Sequence, residues 1–235
     1  MTQLLLDLKP EQAPSLDNFV AGANAELVDR LRMLADSHSY DAVYLWGTAG
    51  SGKSHLLAAT AAQSAARRPV VVAPGAEIGS DIAAPPGALI AIDDVDRLGA
   101  EAQVALFRVF NAMRLAGYAL LLSGRQPPLQ LALREDLRTR IGQSLVYEVR
   151  PLADEEKSAA LRRHALMRGM RVDEGLVRYL LSRGRRDLPS LMAVLDSLDR
   201  ATLEQQRPAT LPLLREVMQL QFGDNASVDD DSGPP

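Results

Sequence analysis

The 235-residue chain carries a formal net charge of −4, with 47% hydrophobic and 24% charged residues, the proportions of an ordinary globular protein. It contains no cysteine, which excludes disulfides, cysteine-ligated zinc and iron–sulfur clusters. No apolar run approaches bilayer length, no secretory signal opens the chain, and the acidic balance argues against non-specific coating of nucleic acid, so a cytoplasmic location is expected.

The chain begins MTQLLLDLKP, which places Leu4, Leu5, Leu6 and Leu8 ahead of Pro10 and Pro14. A tip that apolar is unusual at a terminus, where ordering has few contacts to offset its entropy. KPEQAPS then reads as a flexible, non-helical linker, so residues 1–15 form a leader apart from the first domain. AELVDRLRMLAD puts Leu27, Leu31 and Leu34 on one helical face. Five short apolar segments follow and read as strands: DAVYLWG, RPVVVAP, GALIAIDD, YALLLSG and SLVYEV. Helical patterns separate most of them, including KSHLLAATAAQSAA and AEAQVALFRVFNAMRLAG. Continuous apolar strands alternating with helices predict an α/β domain over residues 16–150, with a parallel five-stranded sheet covered on both faces.

From Pro151 the strand signal stops. Asp154 is placed to cap EEKSAALRRHALMRGM, and Asp173 to cap EGLVRYLLSRG. Pro189 sits early in LPSLMAVLDSLDRATLEQQ, where its missing N–H costs little, and Thr210 is placed to cap LPLLREVMQL. These patterns predict a small all-α domain over residues 151–221. The remaining segment, 222–235, is acidic and has the composition of a disordered tail.

The strongest local signal is GTAGSGKS, Gly47 to Ser54. It matches G-x-x-x-x-G-K-[ST] between a predicted strand and a predicted helix, the context the motif requires. Glycines let successive backbone N–H groups turn inward around phosphate oxygens, and the helix N-terminus adds its dipole. Gly47, Ala49, Gly50, Ser51, Gly52, Lys53, Ser54 and His55 make up the candidate nucleotide loop. Lys53 would reach the β- and γ-phosphates and the Ser54 hydroxyl would hold Mg²⁺, with ADP or ATP as the ligand. The His55 and His164 rings read as packing or surface groups, since no partner stands at metal spacing.

ALIAIDDVD supplies the complementary acids. Asp93, at the end of an apolar strand, would orient the magnesium shell, because paired acids there cost desolvation that a cation offsets. Asp94 would polarise an attacking water, and Asp96 reads better as a cap of the next helix. Ser123 ends a third buried strand, either beside the γ-phosphate or as a turn serine before Gly124.

The P-loop, LIAIDD, the Ser123 strand tip, EDLRTRIG and GRRDLPSLMAVL occur in the order of the AAA+ family. More narrowly they resemble the ATPase module of the replication initiator DnaA. LDNFVAGANAEL is similar to that clade's F-x-N-F-V-x-G-x-x-N segment, through Asn18, Phe19, Val20, Gly22 and Asn24. The resemblance implies that Asn18, Phe19 and Val20 lie against the adenine base. EDLRTR resembles the L-x-S-R box and implies that Arg140, rather than Arg138, is an arginine finger. RRDL resembles the lid's sensor-2 motif and assigns Arg186, rather than Arg185, to the phosphates. The cluster Arg162, Arg163, Arg168 and Arg171 reads as a solvated helix face.

DnaA carries a further N-terminal domain and a DNA-reading helix-turn-helix domain. Here a short leader and an acidic tail flank the module, so sequence-specific DNA binding is not expected. A DnaA-like module of this kind resembles the Hda family of regulatory inactivators of DnaA. That family carries a leader similar to Q-L-x-L-x-L, which binds the sliding clamp (the β subunit of DNA polymerase III). Gln3, Leu4, Leu6 and Leu8 stand at the pattern positions. The resemblance implies a negative regulator of replication initiation: a nucleotide-bound protein, recruited by the DNA-loaded clamp, that activates the ATPase of DnaA in trans. An autonomous ATPase or helicase loader, and an adaptor for another partner, are the alternatives. Homodimerisation is left open.

Overall fold

The computed structural model describes residues 13–36, 39–184 and 187–223, the last three by their backbone alone. Gln3, Leu4, Leu6, Leu8, Arg185, Arg186 and the segment after Gly223 lie outside the described residues. The chain divides into two compact units, Glu11–Leu152 and the chain from Ala153 onward. Among the described residues no helix is long and apolar enough to cross a membrane.

The first unit opens with helix α1 (Ala25–Leu34). Five strands follow: β1 (Ala42–Trp46), β2 (Val70–Pro74), β3 (Leu89–Asp93), β4 (Ala119–Gly124) and β5 (Leu145–Glu148). The intervening helices are α2 (Lys53–Ser64), α3 (Ala100–Ala116) and α4 (Glu135–Gly142). All strands pair in parallel in the order β2-β3-β4-β1-β5. Each expected strand is present within a residue or two of its sequence pattern.

Period-two alternation explains why the strands read as continuous apolar runs. Val43, Leu45, Leu89, Ala91, Ala119 and Leu121 point to one face, where Leu27, Leu31 and Leu34 of α1 and Leu56 and Leu57 of α2 cover them. Tyr44, Ile90, Ile92, Leu120 and Leu122 point to the other and meet Leu106 and Val109 of α3 and Leu137 and Ile141 of α4. Both faces are closed, so no strand position of the central three can be polar without a partner.

Order in this sheet changes direction at β1: the chain leaves it for β2, returns through β3 and β4, and crosses to β5 on the far side. In open parallel sheets such a switch point leaves a crevice at the carboxyl ends of the strands, where ligands bind.

Two polar clips hold the loops around this core. Asn24, 4% exposed, bonds the backbone of Arg150 on both sides. Its Nδ2 donates to the Arg150 carbonyl at 2.9 Å and its Oδ1 accepts from the Arg150 N–H at 2.8 Å. The segment before α1 is thereby tied to the exit from β5, 126 residues away. Arg68 donates to the carbonyls of Gly87, Asp36, Ser39 and Gly117. Asn24→Ala would remove both bonds to the Arg150 backbone, and is expected to cost about 1–3 kcal/mol. Denaturant unfolding followed through the single Trp, Trp46 on β1, measures that loss within the same unit.

The second unit contains α5 (Asp154–Met167), α6 (Glu174–Arg183), α7 (Leu188–Gln205) and α8 (Leu211–Gly223). Leu161, Leu176, Leu180, Leu191, Leu195, Leu198, Leu213 and Leu214 form its core. Asp173 caps α6 as expected, accepting the Leu176 N–H at 2.7 Å. Asp187 does the same for α7 through Ser190, with Pro189 in the first turn. Thr210 precedes α8, and its carbonyl accepts the Leu214 N–H.

Two expectations here need correction. Asp154 does not cap α5 but is its first residue. The flanking position is Ala153, whose N–H donates to the Glu156 carboxylate at 2.8 Å. An acid one turn in supplies the acceptor that a capping side chain would have given. Arg168 is not part of a solvated face. Only 17% exposed, it pairs with Asp196 of α7 at 2.7 Å, and His164 bonds the same carboxylate at 2.6 Å. Helical spacing placed these cations on one side of α5, but tertiary packing brought the acids of α7 to them.

Candidate nucleotide site

At the carboxyl end of β1 the chain turns through Gly47–Gly52 into α2. The turn depends on left-handed backbone. Gly52 has φ +101°, and a Cβ there would stand 2.7 Å from the Phe19 ring. A side chain at this position would therefore meet both torsional strain and a clash.

Phe19 thus lies directly against the loop, with its ring centroid 5.6 Å from that of His55. His55 Nε2 in turn meets the Ser15 carbonyl at 3.1 Å. The structure brings the Asn18–Val20 segment and the loop together, although more than 25 residues of sequence separate them. The Asn18 side chain closes its own turn, with Oδ1 accepting from the Ser15 N–H and Nδ2 donating to the Ala13 carbonyl. Val20 is half-buried. Contact with the loop therefore falls to Phe19.

Lys53, 6% exposed, folds back on the loop and donates to the carbonyls of Gly47 (2.9 Å) and Thr48 (2.8 Å). Burial pushes its pKa below the ordinary lysine value, and the carboxylates of Asp94, Asp93 and Asp96 oppose that effect. Ser51 Oγ is buried with no hydrogen-bond partner among the described residues. An unpaired buried hydroxyl is uncommon in a folded protein, and here it belongs to a loop whose sequence calls for phosphate. Ser54 stands exposed at the second position of α2.

The acids occupy the neighbouring strand ends. Asp93 closes β3, and Asp94 follows in left-handed backbone, φ 52° and ψ 60°, a region that Asp tolerates better than most residues. Ser123 is fully buried within β4. It donates to the Asp93 carboxylate and accepts the Asp94 N–H at 3.0 Å. It is therefore a strand residue rather than a turn serine, and its hydroxyl bridges the Asp93 carboxylate and the Asp94 backbone. Asp96, expected as a helix cap, caps nothing. It lies in the 3-10 turn Val95–Arg97 and accepts the Arg125 N–H at 2.8 Å, while α3 starts after Gly99 with no side-chain cap. Among the described residues no group of three or more acidic or imidazole side chains forms a metal cluster.

Arg140 lies elsewhere, exposed near the end of α4. Its guanidinium donates to Asn111 Oδ1 at 2.9 Å and stands 6.0 Å from the Phe107 ring centroid, both on α3. Asp136, on the same helix, pairs with Arg134 at 2.8 Å. Asn111 is a residue that sequence reasoning missed. Its signal was slight: it follows Phe107 by one turn on α3.

Comparison with known proteins follows from this geometry. Residues 154–218 match the family model of the Hda lid domain. The fold is that of domain III of the Thermotoga maritima replication initiation protein DnaA, at TM-score 0.73 and 18% identity, covering 90% of this chain and 98% of that one. The Thermotoga maritima RuvB Holliday junction branch migration motor aligns at TM-score 0.69 and 17% identity, over 92% and 75% of the two chains. A replication initiator DnaA bound to AMPPCP and single-stranded DNA aligns at TM-score 0.65 and 16% identity, over 93% and 75%. Residues 154–218 thus match an Hda lid, and the parallel sheet with its P-loop has the fold of the DnaA and RuvB structures.

Proposed function

We propose that this protein is a negative regulator of replication initiation that acts on DnaA. The observation that carries the reading is the Hda-type lid joined to a DnaA-like module that displays Arg140 on an exposed helix. In this reading the loop Gly47–Ser54 holds ADP or ATP. Its backbone N–H groups and the Ser51 hydroxyl face phosphate oxygens, Lys53 exchanges its loop carbonyls for phosphate, and Phe19 packs beside the base. The residues suit Mg²⁺ as well. Ser54 and Asp93 would hold the ion with one hydroxyl and one carboxylate, phosphate oxygens and waters supplying the rest. Magnesium there neutralises phosphate charge. Asp94 orients water, and Ser123 keeps Asp93 and Asp94 in register.

Arg140 acts on another molecule. It enters the ATP site of DnaA and stabilises the charge that develops on the transferring phosphoryl group. The protein reaches DnaA through the sliding clamp on DNA, with Gln3 in a polar pocket and Leu4, Leu6 and Leu8 in an apolar groove. A pull-down on the clamp checks this docking. The intact protein is expected to be retained, and a variant with alanine at Gln3, Leu4 and Leu6 to be lost; equal retention would remove the clamp from the account. Brisk ATP turnover by the isolated protein would instead favour an autonomous ATPase.

A further inference from the structure

His55 has no role in the function proposed above, yet it joins two segments that the candidate site needs side by side. It lies in the first turn of α2, one residue past Ser54, and is half-buried. Its Nε2 stands 3.1 Å from the Ser15 carbonyl. A carbonyl only accepts, so Nε2 carries the hydrogen and donates it. The ring lies 5.6 Å, centroid to centroid, from that of Phe19 and is tilted 40° to it, a separation at which aromatic rings attract. One side chain thus holds both ends of the stretch Ser15–Phe19 against the first turn of α2.

That stretch is closed on itself, so it moves as a unit. Asn18 Oδ1 accepts the Ser15 N–H at 3.0 Å, and Ser15 Oγ accepts the Asn18 N–H at 3.1 Å. Leu16, 3% exposed, pins the turn to the sheet's core, and Phe19 packs on the same core only in part. Leu16 fixes where the turn sits but leaves it free to tilt. His55 removes that freedom, holding Ser15 on one side of Leu16 and Phe19 on the other. The tilt matters because the Phe19 ring rests on the bare backbone of Gly52, where a Cβ would stand 2.7 Å away.

We propose that His55 is a positioning residue for the base of the nucleotide: it holds Phe19 on Gly52 and thereby sets how much of the affinity the base contributes. The loop N–H groups and Lys53 read phosphate alone, and they do so whether or not Phe19 is in place. An aromatic wall already fixed costs no ordering when a base arrives, whereas a tilting one must be ordered at the expense of affinity. His55 acts through Phe19.

This inference rests on the nucleotide site proposed above. Its test is calorimetric titration of ADP and of pyrophosphate, each with Mg²⁺, into the full chain after removal of any copurified nucleotide. His55→Ala is expected to weaken ADP about fivefold or more, the worth of one neutral hydrogen bond and one aromatic contact, and to leave pyrophosphate within about twofold. His55→Gln keeps a donor for the Ser15 carbonyl and His55→Phe keeps a ring against Phe19, so each should recover part of the loss. In a Phe19→Ala background, His55→Ala should weaken ADP no further, which reads the same point from ADP alone. Equal weakening of ADP and pyrophosphate by His55→Ala would overturn the proposal and make His55 a structural prop of the loop. Unaltered ADP affinity, or losses that add in the double variant, would overturn it as well. No recovery by either substitute would overturn the two-sided hold. Failure of the unaltered protein to bind ADP would overturn the site and this inference together.

Discussion

Replacing Arg140 with alanine is expected to reduce stimulated hydrolysis of DnaA-bound ATP by about 10³–10⁵-fold, the effect of an arginine finger supplied in trans. The fold should not register the change. Arg140 is exposed, and its described contacts are one hydrogen bond to Asn111 and an approach to the Phe107 ring, so its removal falls among surface substitutions of small cost. That separation of effects makes the experiment decisive. Hydrolysis would be measured with DnaA-ATP, DNA-loaded clamp and either the intact protein or the variant, alongside a thermal melt of each. Arg140→Lys should recover little, because an ammonium cannot reproduce the planar, bidentate geometry of guanidinium. Arg138→Ala, two residues away and half-buried, should retain most of the stimulation. Equal activity of Arg140→Ala and the intact protein would sink the finger and leave an adaptor that recruits DnaA without activating it.

The second large effect concerns Lys53. Lys53→Ala is expected to weaken ADP and ATP by about 10²–10⁴-fold, on the basis of two charge-assisted hydrogen bonds of ~1.5–3 kcal/mol each. Calorimetry on the full chain measures it directly. The same ammonium donates to the carbonyls of Gly47 and Thr48, so a phosphate must compete with those bonds rather than with bulk water. Lys53→Met keeps the buried stem and removes only the charge. It should lose affinity comparably while disturbing the loop less, which separates a phosphate role from a packing role. Nucleotide affinity within a few-fold of the intact protein in both variants would refute the assignment.

Much of this molecule is legible without coordinates. The five strands could be read because a sheet closed on both faces demands unbroken apolar runs, and those runs are local in sequence. The loop could be singled out as a candidate because a phosphate cradle needs glycines, a lysine and a hydroxyl at set spacing. Capping by Asp173 was visible for the same reason: donor and acceptor sit three residues apart. Where the expectations for Asp96 and Arg168 failed, the true partner was remote. Asp96 faces Arg125 from 29 positions away. Arg168 and His164 meet Asp196 on another helix. Asn24 reaches Arg150 across 126 residues. No periodicity or propensity encodes such pairs.

The sequence by itself determined the elements, the sheet's two-sided burial and the glycine-rich turn of the Gly47–Ser54 loop, since each follows from neighbours within a few residues. Only the tertiary structure decided how the polar groups are spent. It turned Ser123 toward Asp93, laid Phe19 against Gly52 and held Arg140 on Asn111. The physical reason is that a polar side chain takes its role from its hydrogen-bond partner, and strand order, not chain order, chooses that partner.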